Sequence, residues 1–378
     1  MLPWFVLFAC QSEKSPTDLI YQELYDQGMG RYVGEFEPDT ENLDETGFLI
    51  HQFSAELAGP RCMTGEDYHV MTRDQGHENM VLFLQGGGLC YSEICIAVSS
   101  GGSTVPDIDI MKTEAENPVG DWNQVYVPYC DGSLFAGDVA VDSNDDGTPD
   151  RYQYGLRNLT AAIDVASNKF PHPKRILLAG SSGGGYGSIW ATILARWAWP
   201  ESEIYVFNDS GVGLGMDGKP DFILDMMHEF QAESILPASL TERFDSGHVT
   251  PLIDWQLQQD SNLKMSAFSY RWDYVIARVY LAIAYETFDA WLQQETEILH
   301  QKYPERYNYF IAKGADHTVL IGDPSGFLSL DSEYFELIDG LLGNMETTVV
   351  DDRGVRDWLR SFVEDADDWT SIRDDSDR

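Results

Sequence analysis

Basic residues are scarce: 24 Lys and Arg stand against 63 Asp and Glu, a formal charge of −39 over 378 residues. No positive face is available to release counterions from phosphates, so nucleic acid is excluded as a partner. A polyanionic substrate is disfavoured as well, unless a local basic patch, salt or bridging cations intervene. Long apolar runs are also missing, and beyond the first ten residues nothing is long and apolar enough to cross a bilayer. There is no internal repeat, which argues against a solenoid. With 43% hydrophobic and 12% aromatic residues and no break in composition, the chain has material for one large, elaborated core.

Cysteines number only five. Cys10 closes the run Leu7-Phe8-Ala9-Cys10, which resembles the lipobox of bacterial lipoproteins and makes Cys10 a candidate for lipidation and membrane anchoring. No basic residue precedes the short apolar run, so a plain N-terminal stub remains the rival reading. The other four, Cys62, Cys90, Cys95 and Cys130, allow three pairings in an oxidising compartment. Cys90 and Cys95 can close a small loop, which would leave Cys62 with Cys130. Thiolate metal binding is the rival, but no histidine lies at zinc-site spacing beside them.

Strand and helix patterns alternate from about residue 81 to 320, which predicts an α/β fold. Met80–Leu84 and Arg175–Ala179 read as buried parallel strands, Val125–Val127 and Ile204–Phe207 as further ones, and Lys264–Tyr270 and Tyr307–Ile311 as late ones. Residues 158–166 and Val355–Val363 have helical spacing, and residues 214–257 read as a mixed, mostly helical insertion. The expected organisation is a signal ending in the lipobox over 1–10, a tether and lead-in over 11–40, a catalytic domain over 41–363 and an acidic tail over 364–378.

The apolar run Ile176-Leu-Leu-Ala179 breaks into Gly180-Ser-Ser182-Gly-Gly184 and then into a helical pattern. That is what a nucleophile elbow requires: small residues on both sides of a sharp turn that lifts one hydroxyl above the sheet. Ser182 is the candidate nucleophile and Ser181 the fallback. A serine needs a base and, usually, an orienting carboxylate. Of eight histidines, only His317 follows a late strand-like run. The acid should fall between Ser182 and His317, where Asp273, Asp209 and Asp254 stand nearly level by spacing alone.

The ordered motifs Leu84-Gln-Gly-Gly-Gly-Leu-Cys90, Val127-Pro-Tyr-Cys-Asp-Gly132, Gly137-Asp138, Tyr154-Gly-Leu-Arg-Asn158, Leu178-Ala-Gly-Ser-Ser-Gly-Gly-Gly185, Asn208-Asp-Ser-Gly211 and His317-Thr318 resemble the pectin acetylesterase family. Plant pectin acetylesterases and animal Notum-like carboxylesterases belong to that family. The resemblance spans roughly residues 60 to 320. It implies an α/β-hydrolase-like fold: a mostly parallel central sheet, helices on both faces and a helical insertion near the substrate pocket. It also implies Ser182 as nucleophile, Asp273 as acid, His317 as base and the amides of Gly87, Gly88 and Gly183 as the oxyanion hole, with no cofactor required. Gly183 stands where the family usually has alanine, and Leu89 where tryptophan is common.

Asp142, Asn144, Asp146, Thr148 and Asp150 have the spacing of the first part of a calcium loop, without its closing glutamate. The same stretch equally suits a hairpin turn. Asn158-Leu-Thr160 fits a glycosylation sequon but also a helix start. The expected protein is an exported serine carboxylic-ester hydrolase, lipid-anchored at a cell envelope or secreted. It would remove acetyl or other short acyl groups from a polysaccharide or a small acylated substrate. The alternatives are a lipid deacylase or thioesterase with an apolar tunnel in residues 214–257, and a catalytically silent surface-binding lipoprotein.

Overall fold

The computed structural model describes residues 19–376, apart from 93, 323–337 and 339. Cys10 and the lipobox lie outside the described residues. Ten strands form the central sheet: β1 (Thr40–Leu43), β2 (Leu49–Phe53), β3 (Tyr68–Arg73), β4 (Met80–Leu84), β5 (Asn123–Val127), β6 (Arg175–Ser181), β7 (Glu203–Asp209), β8 (Leu263–Tyr270), β9 (Tyr307–Ala312) and β10 (Ile372–Arg373). Their order is β1-β2-β3-β5-β4-β6-β7-β8-β9-β10. From β5 to β10 every neighbour is parallel, while β1, β2, β3 and β5 pair antiparallel. This is the α/β class that the alternating pattern predicts, in the α/β-hydrolase-like, mostly parallel form that the family resemblance implies.

The central strands are uniformly apolar because both faces are covered. β4 is buried at all five positions, and in β6 only Arg175 is partly exposed. Helix Gly155–Lys169 packs on helix Gly183–Ala198, which lies against β6 and β7. The helix Val355–Val363 buries Trp358 against Phe207 and Phe310, at ring separations of 5.9 and 5.6 Å.

The acidic segment after Val363, expected as a tail, supplies the last strand, with Phe310 opposite Ile372. Three cationic or phenolic groups hold it down. Asp365 accepts from Arg175 (2.9 Å), from the Tyr205 hydroxyl (2.5 Å) and from Lys264. Burial costs are thereby met by local neutralisation, which composition alone does not reveal.

Cys62 is bonded to Cys130 and Cys90 to Cys95. Asn158 is fully buried; its amide donates to the Arg61 carbonyl and accepts the Arg61 N–H, both at 3.0 Å. A glycan cannot be accommodated there, so the helix reading of that sequon holds. Residues 139–141 and 151–153 form the antiparallel pair that frames the acidic loop.

Candidate active site

β6 delivers Ser182 to the N-terminus of helix Gly183–Ala198 with φ 57° and ψ −120°. A non-glycine residue in that region is strained and needs its surroundings to hold it. The flanking glycines show why: a Cβ on Gly180 would collide with the Gly184 carbonyl, and one on Gly184 with the Leu84 carbonyl. Only hydrogen fits at either position.

The loop after β4 lies against this turn. A Cβ built on Gly86 would sit 2.9 Å from the Ser182 Cβ, and one on Gly183 would sit 3.3 Å from the Gly88 carbonyl oxygen. Gly87 faces the ring of Tyr129 with no room for a side chain, and Gly88 has φ 84°. The Tyr129 hydroxyl donates to the Gly88 carbonyl at 2.8 Å, and the Gly87 carbonyl accepts the Val98 N–H at 2.7 Å. The three-glycine loop is thus fixed by its carbonyls. Cys90–Cys95 closes the antiparallel ribbon Gly88–Tyr91 with Ile94–Ala97 directly after it.

His317 and Asp273 are both fully buried, with Nδ1 at 2.8 Å from Oδ2 and 3.0 Å from Oδ1. A carboxylate can only accept, so Nδ1 carries the proton and Nε2 is left with its lone pair. Among the described residues Nε2 has no hydrogen-bond partner. Asp273 also accepts the Ile276 N–H at 2.9 Å, so it orients the imidazole and caps a helical turn at once. Next to it, burial, reinforced by the negative charge of Asp273, raises the Asp316 carboxyl.

Neither rival acid hydrogen-bonds the His317 ring. Asp254 binds Arg243, Lys302 and Tyr303. Asp209 takes the Ser181 hydroxyl at 2.7 Å and the amides of Val319 and Leu320 at 3.0 Å. Sequence reasoning weighed Asp209 only as a rival acid and gave no role to Ser210, Thr318 or Tyr129, although all four stand in the motifs that carry the family resemblance.

A cavity of about 230 Å³ opens at Ser182. Leu89, Leu134, Tyr186 and Ile276 line it together with Leu214, Phe222 and Met226 of the insertion, and no charged side chain of the described residues does so. The Tyr186 hydroxyl is held by the Leu214 carbonyl at 2.5 Å, which fixes one wall.

The acidic loop satisfies its oxygens internally. Asp142 accepts the N–H groups of Asp146 (3.2 Å) and Gly147 (2.7 Å), Asn144 that of Asp146 and Asp146 that of Thr148 (both 2.9 Å), while Asp150 binds Ser143. Among the described residues no group of three or more His, Cys, Asp and Glu side chains is gathered as a metal would need.

A strained serine at a strand-to-helix turn, a buried imidazole–carboxylate pair after the late strands and a glycine loop alongside are the parts that an α/β-hydrolase class of site requires. Residues 46–243, more than half of the chain, match the family model described as Pectinacetylesterase, and the chain belongs to that family. It is 28% identical over 151 residues to pectin acetylesterase 4 of Arabidopsis thaliana, covering 36% of each chain. Pectin acetylesterase 11 of the same plant is 30% identical over 152 residues, covering 36% of this chain and 38% of that one. Palmitoleoyl-protein carboxylesterase notum2 of Xenopus laevis is 30% identical over 135 residues, covering 32% and 26%. The matched segments therefore span between about a quarter and two fifths of these relatives' lengths.

Proposed function

We propose that the protein is a serine carboxylic-ester hydrolase working through an acyl-enzyme. The observation that carries this reading is the fully buried His317–Asp273 pair whose Nε2 is kept as an acceptor. In the proposed cycle Nε2 takes the Ser182 proton as Oγ attacks the ester carbonyl. The tetrahedral oxyanion is met by the amides of Gly87, Gly88 and Gly183, and the imidazolium returns its proton to the leaving alkoxide. Water then attacks the acyl-enzyme by the same route and regenerates the serine. No cofactor takes part.

The cavity favours an acyl group larger than acetyl. Each buried methylene contributes about 0.8 kcal/mol, and only apolar walls and neutral polar groups are on offer. An acetyl ester of a carbohydrate is the second reading, supported by the names of the plant relatives. The catalytic domain, expected over residues 41–363, is in this proposal extended through β10; export belongs to it too, supported by two disulfides that persist in oxidising compartments, and so does lipid anchoring at Cys10. Any cation at Asp142–Asp150 would be structural, and a fall in Tm on chelation with unchanged turnover is its signature.

The deciding experiment sets Ser182→Ala beside the parent on p-nitrophenyl esters, with fluorophosphonate labelling. Turnover and label in the parent alone are expected. An unlabelled, inactive parent refutes the hydrolase reading.

A further inference from the structure

Three non-glycine residues with left-handed backbone meet at one place: Ser182 at φ 57°, Ser210 at 62° and Thr318 at 65°. Thr318 is the least expected of them, because a β-branched residue is a genuine outlier there. It directly follows His317, so whatever holds Thr318 sets where the imidazole stands. Two hydrogen-bonding groups from the end of β7 do so. The Ser210 hydroxyl accepts the Thr318 N–H at 3.1 Å, and the Asp209 carboxylate accepts the next two amides, those of Val319 and Leu320, at 3.0 Å.

Asp209 also grips the elbow. Its Oδ2 accepts the Ser181 hydroxyl at 2.7 Å, and its backbone carbonyl accepts the Ser182 N–H at 2.8 Å. It is fully buried and touches neither ring nitrogen of His317 in any hydrogen bond of the described residues. We infer that Asp209 is a positioning residue, a second buried carboxylate that clamps the His317 loop to the Ser182 turn. The inference rests on the serine-hydrolase reading of Ser182 and His317.

The clamp is strongest when charged, since an ionised acceptor binds amides and hydroxyls more tightly than a neutral one. Ser181 faces the carboxylate from β6, Val319, Leu320 and the charge of His317 from the loop, and Tyr270 from β8. Burial lifts its carboxyl to about 6, while the hydrogen bonds from Ser181, Leu320 and Val319 and the charge of His317 pull it down. The clamp therefore loosens on acidification through that range.

Asp209→Asn keeps the shape, removes the charge and leaves one acceptor where there were two. We expect kcat to fall on the order of tenfold to a hundredfold with KM within about twofold, because a small displacement of a base costs rate rather than ground-state affinity. In the parent, the amide protons of Val319 and Leu320 should titrate together with a midpoint near 6. That parent measurement decides the matter even if the variant does not fold. An unchanged kcat in a folded variant, or flat Val319 and Leu320 amides in the parent, overturns the inference. The NMR readout needs no ester turnover, so an inactive parent would refute the hydrolase reading while the amide titration still decides the placement of Asp209.

Discussion

The Tyr129 hydroxyl bridges two loops: it donates to the Gly88 carbonyl at 2.8 Å and accepts the Leu134 N–H at 3.0 Å. Removing that oxygen frees the glycine loop on the side away from the reacting ester. Tyr129→Phe should lower kcat by about tenfold or more, in the range seen when oxyanion donors are lost. The buried Leu134 amide left behind should cost about 1–3 kcal/mol, read as a drop in Tm. Unchanged kcat in the variant would show that the loop holds itself.

Chain length separates the two substrate readings. At about 0.8 kcal/mol per methylene, kcat/KM should climb severalfold per carbon from acetyl until the cavity is full. Met226→Trp, placed in the insertion wall, should flatten that climb and leave acetyl turnover nearly intact. A maximum at acetyl in the parent would exclude an acyl-chain role for the cavity.

Asp131 is fully buried, and burial holds its carboxyl up at about 6 against several hydrogen bonds from Ser133 and its neighbours. Unfolded, it would ionise near 3.9. Between those values the folded chain holds a proton that the unfolded chain has lost, so this group's contribution to stability falls as pH rises from about 4 to 6 and stays low above. Asp131→Asn lacks the titration. The Tm of the variant minus that of the parent should grow more positive from pH 4 to 7, and a difference that shrinks would contradict the assignment.

The Cys62–Cys130 bond spans 68 residues. On the chain-entropy argument its removal costs about 4 kcal/mol. Cys62→Ser with Cys130→Ser should unfold at distinctly lower temperature than the parent, by calorimetry under non-reducing conditions. An unchanged Tm would mean that the surrounding packing alone fixes these segments.

Much of the frame is legible in the sequence because burial writes itself as composition. The continuous apolar runs of β4 and β6 and the amphipathic helix Val355–Val363 stand where the pattern puts them. The elbow is legible for the same kind of reason, since its glycines answer a local steric demand. What stays hidden is set by distant partners. Two residues, Ile372 and Arg373, form a strand only because β9 offers an edge, and no two-residue pattern can announce that. Nothing local marks Thr318 as left-handed or separates Asp209 from Asp273. Both depend on which backbone amides arrive from over a hundred residues away.

Asp365 follows the elbow and His317 in the chain yet holds Arg175 and Lys264, which precede it by 190 and 101 residues. A chain emerging from the ribosome therefore carries its elbow and histidine well before the contacts that close the sheet edge at β10 exist. The segment after Val363 is thus a fastening added to a frame whose central strands come earlier in the chain.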